Sequence, residues 1–286
     1  MTEAGEKTFF EKALDLDHRI IATIVFIIIS LFILVPVSLP FPVSQYGQNY
    51  YNFVKSIPEG EIIGFMLSDT PSTRPQLESA SVLTLVELWQ KNVKIVFWED
   101  EPYGPPILKD YIALAELKLG RTVEYGVDYV DLGYIAGEET GAAAFLKDIR
   151  GLTGGKDAYG NNIDSYEWMK GINSGSDWEY GFFNVACRCT EPLYVRQWQM
   201  PYGTKVGSIN CAMDLPAITL YLATGQIAGT ANGLLGSAEI EYLTGNIGLA
   251  FGQTLAVSFG GVYFTILVVL GNIFFFMAKA KGRPVT

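Results

Sequence analysis

The sequence predicts an α/β protein: a mostly parallel, doubly wound (Rossmann-like) sheet domain flanked by two transmembrane α-helices. Three observations predict it. Two long uncharged runs lie near the ends of the 286-residue chain. The segment between them alternates β-rich runs with runs of helical periodicity. Basic side chains crowd both chain ends, whereas the middle is acidic.

The first uncharged run covers residues 20–44 and supplies 21 mostly apolar residues from Ile20 to Pro40, about the number a span needs. Pro36, Pro40 and Pro42 break the helix at its far end. The preceding 19 residues hold Glu3, Glu6, Glu11, Asp15 and Asp17, unlike the short basic start of a cleaved signal peptide, so the run reads as an uncleaved signal anchor. The second uncharged run, 247–278, is followed by Lys279, Lys281 and Arg283. Lys7, Lys12 and Arg19 precede the first run. By the positive-inside rule both termini are expected in the cytoplasm, and the middle outside it. The expected organisation is a cytoplasmic tail (1–19), transmembrane helix 1 (20–43), an extracytoplasmic α/β domain (44–245), transmembrane helix 2 (246–278) and a basic cytoplasmic tail (279–286). A third uncharged stretch, Leu215–Ala238, holds several Thr, Asn, Gln and Gly residues and reads as a buried helix near the membrane.

Within the middle domain, strands are expected at 60–67, 93–98, 127–135, 182–187 and 205–213. Helices are expected at 77–92, 105–120 and 137–151. Prolines at 105 and 106 and glycine at 120 give the second helix the usual proline-first, glycine-last asymmetry. Residues 151–181 hold seven glycines among scattered Tyr and Trp and read as a loop-rich insertion. Residues 191–199 read as helical, and Asp214-Leu215-Pro216 opens another helix. Strand–helix alternation at this spacing implies βαβ units.

Composition excludes several functions. The net charge is −10, so nucleic acid is not an expected partner. One histidine and three cysteines leave little for His-based catalysis or the common zinc sites. No P-loop or G-x-G-x-x-G follows a strand, so no cofactor is implied. The lipid bilayer is the one partner the composition calls for.

In an open parallel sheet, ligands bind beyond the carboxyl ends of the strands. Those ends nominate Ser68, Asp69, Glu99, Asp100, Tyr134, Arg188 and Asn210 as ligand-binding residues. Glu99-Asp100-Glu101 is the densest acidic cluster and offers oxygen ligands to Ca²⁺ or Mg²⁺, but its spacing matches no calcium loop. Whether it takes a metal is open. Ser68 has no nucleophile-elbow sequence around it, and no catalytic residue is assigned. Cys187 or Cys189 could pair with Cys211 in a disulfide outside the cytoplasm, Cys189–Cys211 being the candidate; the alternative is three buried hydrophobes.

Small residues recur every four positions at Gly225, Gly229, Gly233 and Ser237, and again at Gly248, Gly252, Ala256 and Gly260. On a helix this makes a smooth seam for close helix packing, taken either by the first span of the same chain or by a second copy in a homo-oligomer. The segments 224–229, 233–239 and 241–243, together with 128–134, resemble an uncharacterised family of prokaryotic membrane proteins. That resemblance implies an N-terminal span, a Rossmann-like middle and a C-terminal span, and no activity. The expected function is a structural, scaffolding or ligand-binding component of a homo-oligomeric membrane assembly. The alternatives are a carboxylate- or metal-dependent extracytoplasmic enzyme and a sensor or transporter accessory subunit.

Overall fold

A computed structural model of the protein describes residues 17–35, 39–186 and 190–280. In chain order the main elements are α1 (His18–Leu34), α2 (Gln45–Ser56), β1 (Ile62–Ser68), α3 (Arg74–Trp89), β2 (Lys94–Glu99), α4 (Gly104–Leu119), β3 (Tyr129–Tyr134), α5 (Glu138–Lys147) and α6 (Ile149–Thr153). There follow β4 (Tyr180–Val185), α7 (Thr190–Tyr194), β5 (Lys205–Asn210), α8 (Leu215–Ala223), β6 (Thr230–Asn232), α9 (Gly233–Thr244) and α10 (Leu249–Ala280). The chain divides into two units: Leu39–Phe251, and Met1–Ser38 with Gly252–Thr286.

The first of these is the α/β domain. Its six strands are all parallel and run in the order β3-β2-β1-β4-β5-β6. This is the doubly wound order, with the topological switch between β1 and β4. The central strands are apolar runs buried on both faces, as a covered parallel sheet requires. One face packs under α2, α3, α4 and α9, with Phe65, Phe97, Phe182, Leu85 and Trp89 in its core. Leu77 to Trp89 of α3 is almost wholly buried. The other face carries Trp98, Trp178, Trp198, Phe145 and Phe183. The rings of Trp98 and Trp178 stack with centroids 5.3 Å apart, and Trp198 meets Trp98 edge-on at 5.1 Å. Two glycines make room for Trp198. Gly64 on β1 and Gly181 on β4 are register partners, and a Cβ on either would run into the indole.

The structure corrects the sequence-based reading in two places within this domain. Residues 45–56 form α2, a helix not expected there; Ser44 caps it by accepting the Gly47 N–H, and it buries Tyr50, Phe53 and Val54. The stretch 215–238 is not one helix: α8 ends at Ala223, β6 follows as a three-residue edge strand, and α9 starts at Gly233. A strand this short leaves no alternation to detect. Residues 151–181, read as a loop-rich insertion, hold the end of α6, three single turns of 3₁₀-helix and the start of β4.

Among the described residues one helix is long and apolar enough to cross a membrane, over Leu249–Met277, rather than the expected two. The first apolar run forms α1 over 17 residues, about 25 Å at 1.5 Å per residue, short of the ~30 Å hydrocarbon core. Its end lies at Leu34, and Val35 is already extended (φ −110°, ψ 112°), as a residue before proline tends to be. Pro36, rather than Pro40, therefore sets the limit. Pro36, Val37 and Ser38 lie outside the described residues. Within the second unit the Phe32 and Phe259 rings stack at 4.6 Å, and a Cβ on Gly252 would come within 2.5 Å of the Phe32 carbonyl oxygen.

Gly181→Ala is expected to destabilise the α/β domain by about 1–3 kcal/mol, the usual cost of overpacking a filled core. Gly171, with nothing within 4 Å, is the control, and its alanine variant should stay within about 0.5 kcal/mol. Denaturant midpoints followed by tryptophan fluorescence would measure both.

Candidate functional site

Successive side chains on a strand point to opposite faces of the sheet. Leu67 packs in the α3/α4 core and Met66 in the opposite one, so Asp69 belongs to the first side and Ser68 to the second. On β2, Phe97 and Trp98 divide the same way, sending Glu99 toward α3 and α4, and Asp100 to the opposite side. The candidates that are adjacent in sequence therefore serve two different places.

On the α3/α4 side three carboxylates climb across the sheet like steps. Asp131 is level with Phe97, and Glu99 is level with Leu67. Asp69 stands two residues farther on. Asp69 is fully buried and well satisfied: its Oδ1 accepts the Thr70 N–H at 2.7 Å and the Thr73 hydroxyl at 2.7 Å, and its Oδ2 accepts the Tyr111 hydroxyl. Burial still raises its pKa, those hydrogen bonds offsetting only part of the effect. Glu99 is also fully buried, but neither carboxylate oxygen has a hydrogen-bond partner among the described residues. Its side chain packs against Gly104, where a Cβ would overlap it. Burial, reinforced by the charges of Asp131 and Asp100, pushes its pKa to about 9, so it is a neutral acid at pH 7. Asp131 rises to about 6, again through burial, although the Gly133 N–H at 2.8 Å favours its charged form.

On the opposite side a cavity of ≈ 420 Å³ opens beyond the carboxyl ends of β1 and β2, lined among the described residues by Ser68, Asp100, Glu101, Glu138, Thr190, Leu193 and Arg196. It lies at the topological switch point, where the chain leaves β1 and β4 toward opposite faces of the sheet. Ser68 is the last residue of β1 and 1% exposed, and its hydroxyl makes no hydrogen bond to the described residues. Arg196 lies in a π-helical turn, Val195–Gln199. It is held there by Glu139, whose carboxylate accepts from Nε at 3.0 Å and Nη2 at 2.9 Å, with the Gln197 amide adding a third bond at 2.9 Å. Glu138 opens α5 with φ +47°, in the left-handed region, directly after Gly137 at φ +105°. A residue with a Cβ rarely adopts this conformation, and such strain gathers at functional sites.

A second buried polar group lies beside β5. Glu191 of α7 is fully buried. Burial first, and then the charge of Asp214, lift its pKa to about 8. Ser208 offsets this a little, but neither its hydroxyl nor the Glu191 carboxylate reaches hydrogen-bond geometry. Asn210 is structural: its amide donates to the Asn232 side chain at 3.1 Å and to the Cys211 carbonyl at 3.1 Å, while its Oδ1 accepts the Thr230 hydroxyl, tying β5 to β6.

Of the nominated residues, Ser68 and Asp100 line the cavity, whereas Asp69, Glu99 and Asn210 do not. Tyr134 is 45% exposed and lies apart from the cavity. Arg188, Cys187 and Cys189 lie outside the described residues; Cys211 is disulfide-bonded. The first glycine ladder is not a helical seam. Gly225 terminates α8 at φ +76°, Gly229 is closed in by the Tyr50 backbone, and only Gly233 and Ser237 belong to α9. In the second, Gly248 faces the Glu241 carboxylate, Gly252 faces Phe32, and Gly260 has nothing within 4 Å. Ala256 is buried on α10. Glu138, Thr190, Leu193 and Arg196 fall outside the strand-end nominations; the Gly137-Glu138 pair before a helix is the one local signal for them. Among the described residues no group of three or more His, Cys, Asp or Glu could hold a metal ion.

Comparison with protein-family models, with curated proteins and with solved structures returns no match for this chain.

Glu191 gives a signed pH dependence. Its folded pKa is raised to about 8, whereas an unfolded glutamate ionises near ~4.3. The unfolded chain therefore binds fewer protons between these values, and stability falls as pH rises from about 4 to 8. Glu191→Gln is expected to remove that slope. Equilibrium unfolding should show no advantage at pH 4 and a gain of more than about 1 kcal/mol at pH 7.

Proposed function

We propose that this chain is a membrane-anchored α/β protein that binds a small polar ligand in the cavity at the carboxyl edge of its sheet. The observation that carries this reading is the cavity's place: it lies at the β1/β4 switch point and is lined by Ser68, whose hydroxyl makes no hydrogen bond to the described residues. Its volume falls within the range of small-molecule sites.

The membrane half of the proposal rests on α10, whose apolar stretch Leu249–Met277 is long enough to span and is almost wholly unburied. In this reading α1 shares the bilayer beside α10, in keeping with the Phe32–Phe259 stack, and the basic residues next to both helices face the cytoplasm. The α/β domain then lies outside the cytoplasm. The disulfide at Cys211 supports this, because disulfides persist in oxidising compartments. Gly252 being taken by Phe32 favours the intrachain use of the seam. Gly260 and Gly261 leave open surface on α10 for a second copy.

The test of anchoring is alkaline carbonate extraction of membranes. The full chain is expected in the pellet, and its release to the supernatant would refute anchoring. Binding is tested by purifying the full chain from membranes and extracting small molecules for mass spectrometry, beside Thr190→Trp, which fills the cavity. A compound present in the wild type and absent from the variant is expected. Identical extracts would refute the cavity as the site.

A further inference from the structure

We infer that the cavity at the β1/β4 switch point takes a small organic cation, an amine with several N–H donors. This deepens the ligand-binding reading above and rests on it. Six of the seven described residues that line it are polar or charged, and Leu193 is the apolar one among them. No aromatic ring belongs to that lining, so the described residues offer neither the stacking platform that a sugar ring or a base would use nor a cage for a quaternary ammonium. Three side chains bring acceptors that no donor of the described residues occupies: the Glu138 carboxylate and the hydroxyls of Ser68 and Thr190. Asp100 and Glu101 also line the cavity, and both are engaged within the chain.

Among the described residues two features could argue for an anion, and both meet an acid of the chain. Arg196 supplies the guanidinium of the described lining, and Glu139 offsets its charge by accepting from Nε and Nη2. The N-terminus of α5 would favour negative charge, but Glu138 and Glu139 fill its first turn. A bound carboxylate or phosphate would thus face Glu138 with the charge of Arg196 offset by Glu139. An ammonium would pair with Glu138, and its remaining N–H groups would donate to Ser68 and Thr190.

Ser68 makes the site more than an acidic surface. It is 1% exposed, lines the cavity, and makes no hydrogen bond through its hydroxyl to the described residues. Its hydroxyl is thus left to the cavity, where a ligand donor can reach it. Glu138 adds an independent sign. It is held at φ +47°, a conformation a glycine would adopt without cost, and it brings a carboxylate to the cavity.

The experiment is saturation-transfer NMR and calorimetric titration of the full chain in neutral detergent with three probes: spermidine (cationic), glucose (neutral) and citrate (anionic). Spermidine is expected to bind. Glu138→Gln and Ser68→Ala should each weaken it, the first by about tenfold as a charge-assisted contact is lost, and Thr190→Trp should abolish it. Glu138→Gly separates charge from folding, because glycine suits φ +47°; it should match Glu138→Gln in binding while melting no lower than wild type. Binding of glucose or citrate in place of spermidine, lost in Thr190→Trp, would overturn the cation assignment and leave the cavity reading intact. So would a cavity-dependent compound extracted from the wild type that carries no amine. Spermidine binding equally to wild type and all variants would mark simple attraction to an acidic protein and overturn the inference. No binding of any probe, with no compound extracted from the wild type, would overturn both.

Discussion

The two-residue period of strands buried on both faces governs this molecule's carboxyl edge. On β1 and β2 the side chains enter one core or the other in turn. The last residues of each strand inherit that alternation whether or not they are apolar. Ser68 and Asp69 therefore part company, as do Glu99 and Asp100. A patch that is contiguous in sequence, Glu99-Asp100, becomes one buried acid on the α3/α4 side and one residue at a cavity on the other, which Glu101, past the end of the strand, also lines. A one-residue slip in β2 would exchange them, but it would also move Trp98 out of the tryptophan cluster and Phe97 out of its own core.

Buried carboxylates are costly, and the fold deals with them in two ways. Some are satisfied by backbone groups that would otherwise be orphaned. Glu241 accepts the N–H groups of Gly248, Ala250 and Phe251 at the start of α10, and Glu239 accepts both the N–H and hydroxyl of Ser44 at the start of α2. These acids act as helix caps supplied from another part of the chain. Glu99 and Glu191 receive no such bonds from the described residues. They are relieved by keeping their protons, and so retain the properties of neutral acids well above the usual carboxylate range. Asp69 is intermediate, with three donors on a fully buried group.

How much of this is legible in the sequence follows from which physical signal each feature leaves. Apolar runs such as 62–68 and 94–99, set between helices with proline starts and glycine ends, announce five of the six strands and the α/β class. β6 escapes because three residues of an edge strand, Thr230-Ala231-Asn232, carry no period. α2 escapes because its apolar positions, Tyr50, Phe53 and Val54, are diluted by Gln, Asn and Gly. Hydropathy overstates the length of α1 because an apolar run continues past a proline whereas a helix does not. The strand-end rule puts Ser68 and Asp100 at the edge of the sheet where the cavity opens. It does not say which face each side chain takes, nor that Arg196 and Glu138, far apart in sequence, meet there.

The segment between β3 and β4 that looks irregular in sequence is demanded by the topology. To go from β3 at the edge to β4 on the far side of β1, the chain must cross the sheet, and a parallel connection needs a long crossover. Residues 135–179 make that crossing, and in doing so they cover the second core with Phe145, Ile163, Met169 and Trp178. The crossing begins in the left-handed pair Gly137-Glu138 and at once supplies Glu138 to the cavity and Glu139 to Arg196. The crossover that the strand order demands thus also delivers one of the side chains that line the crevice and the acid that holds another.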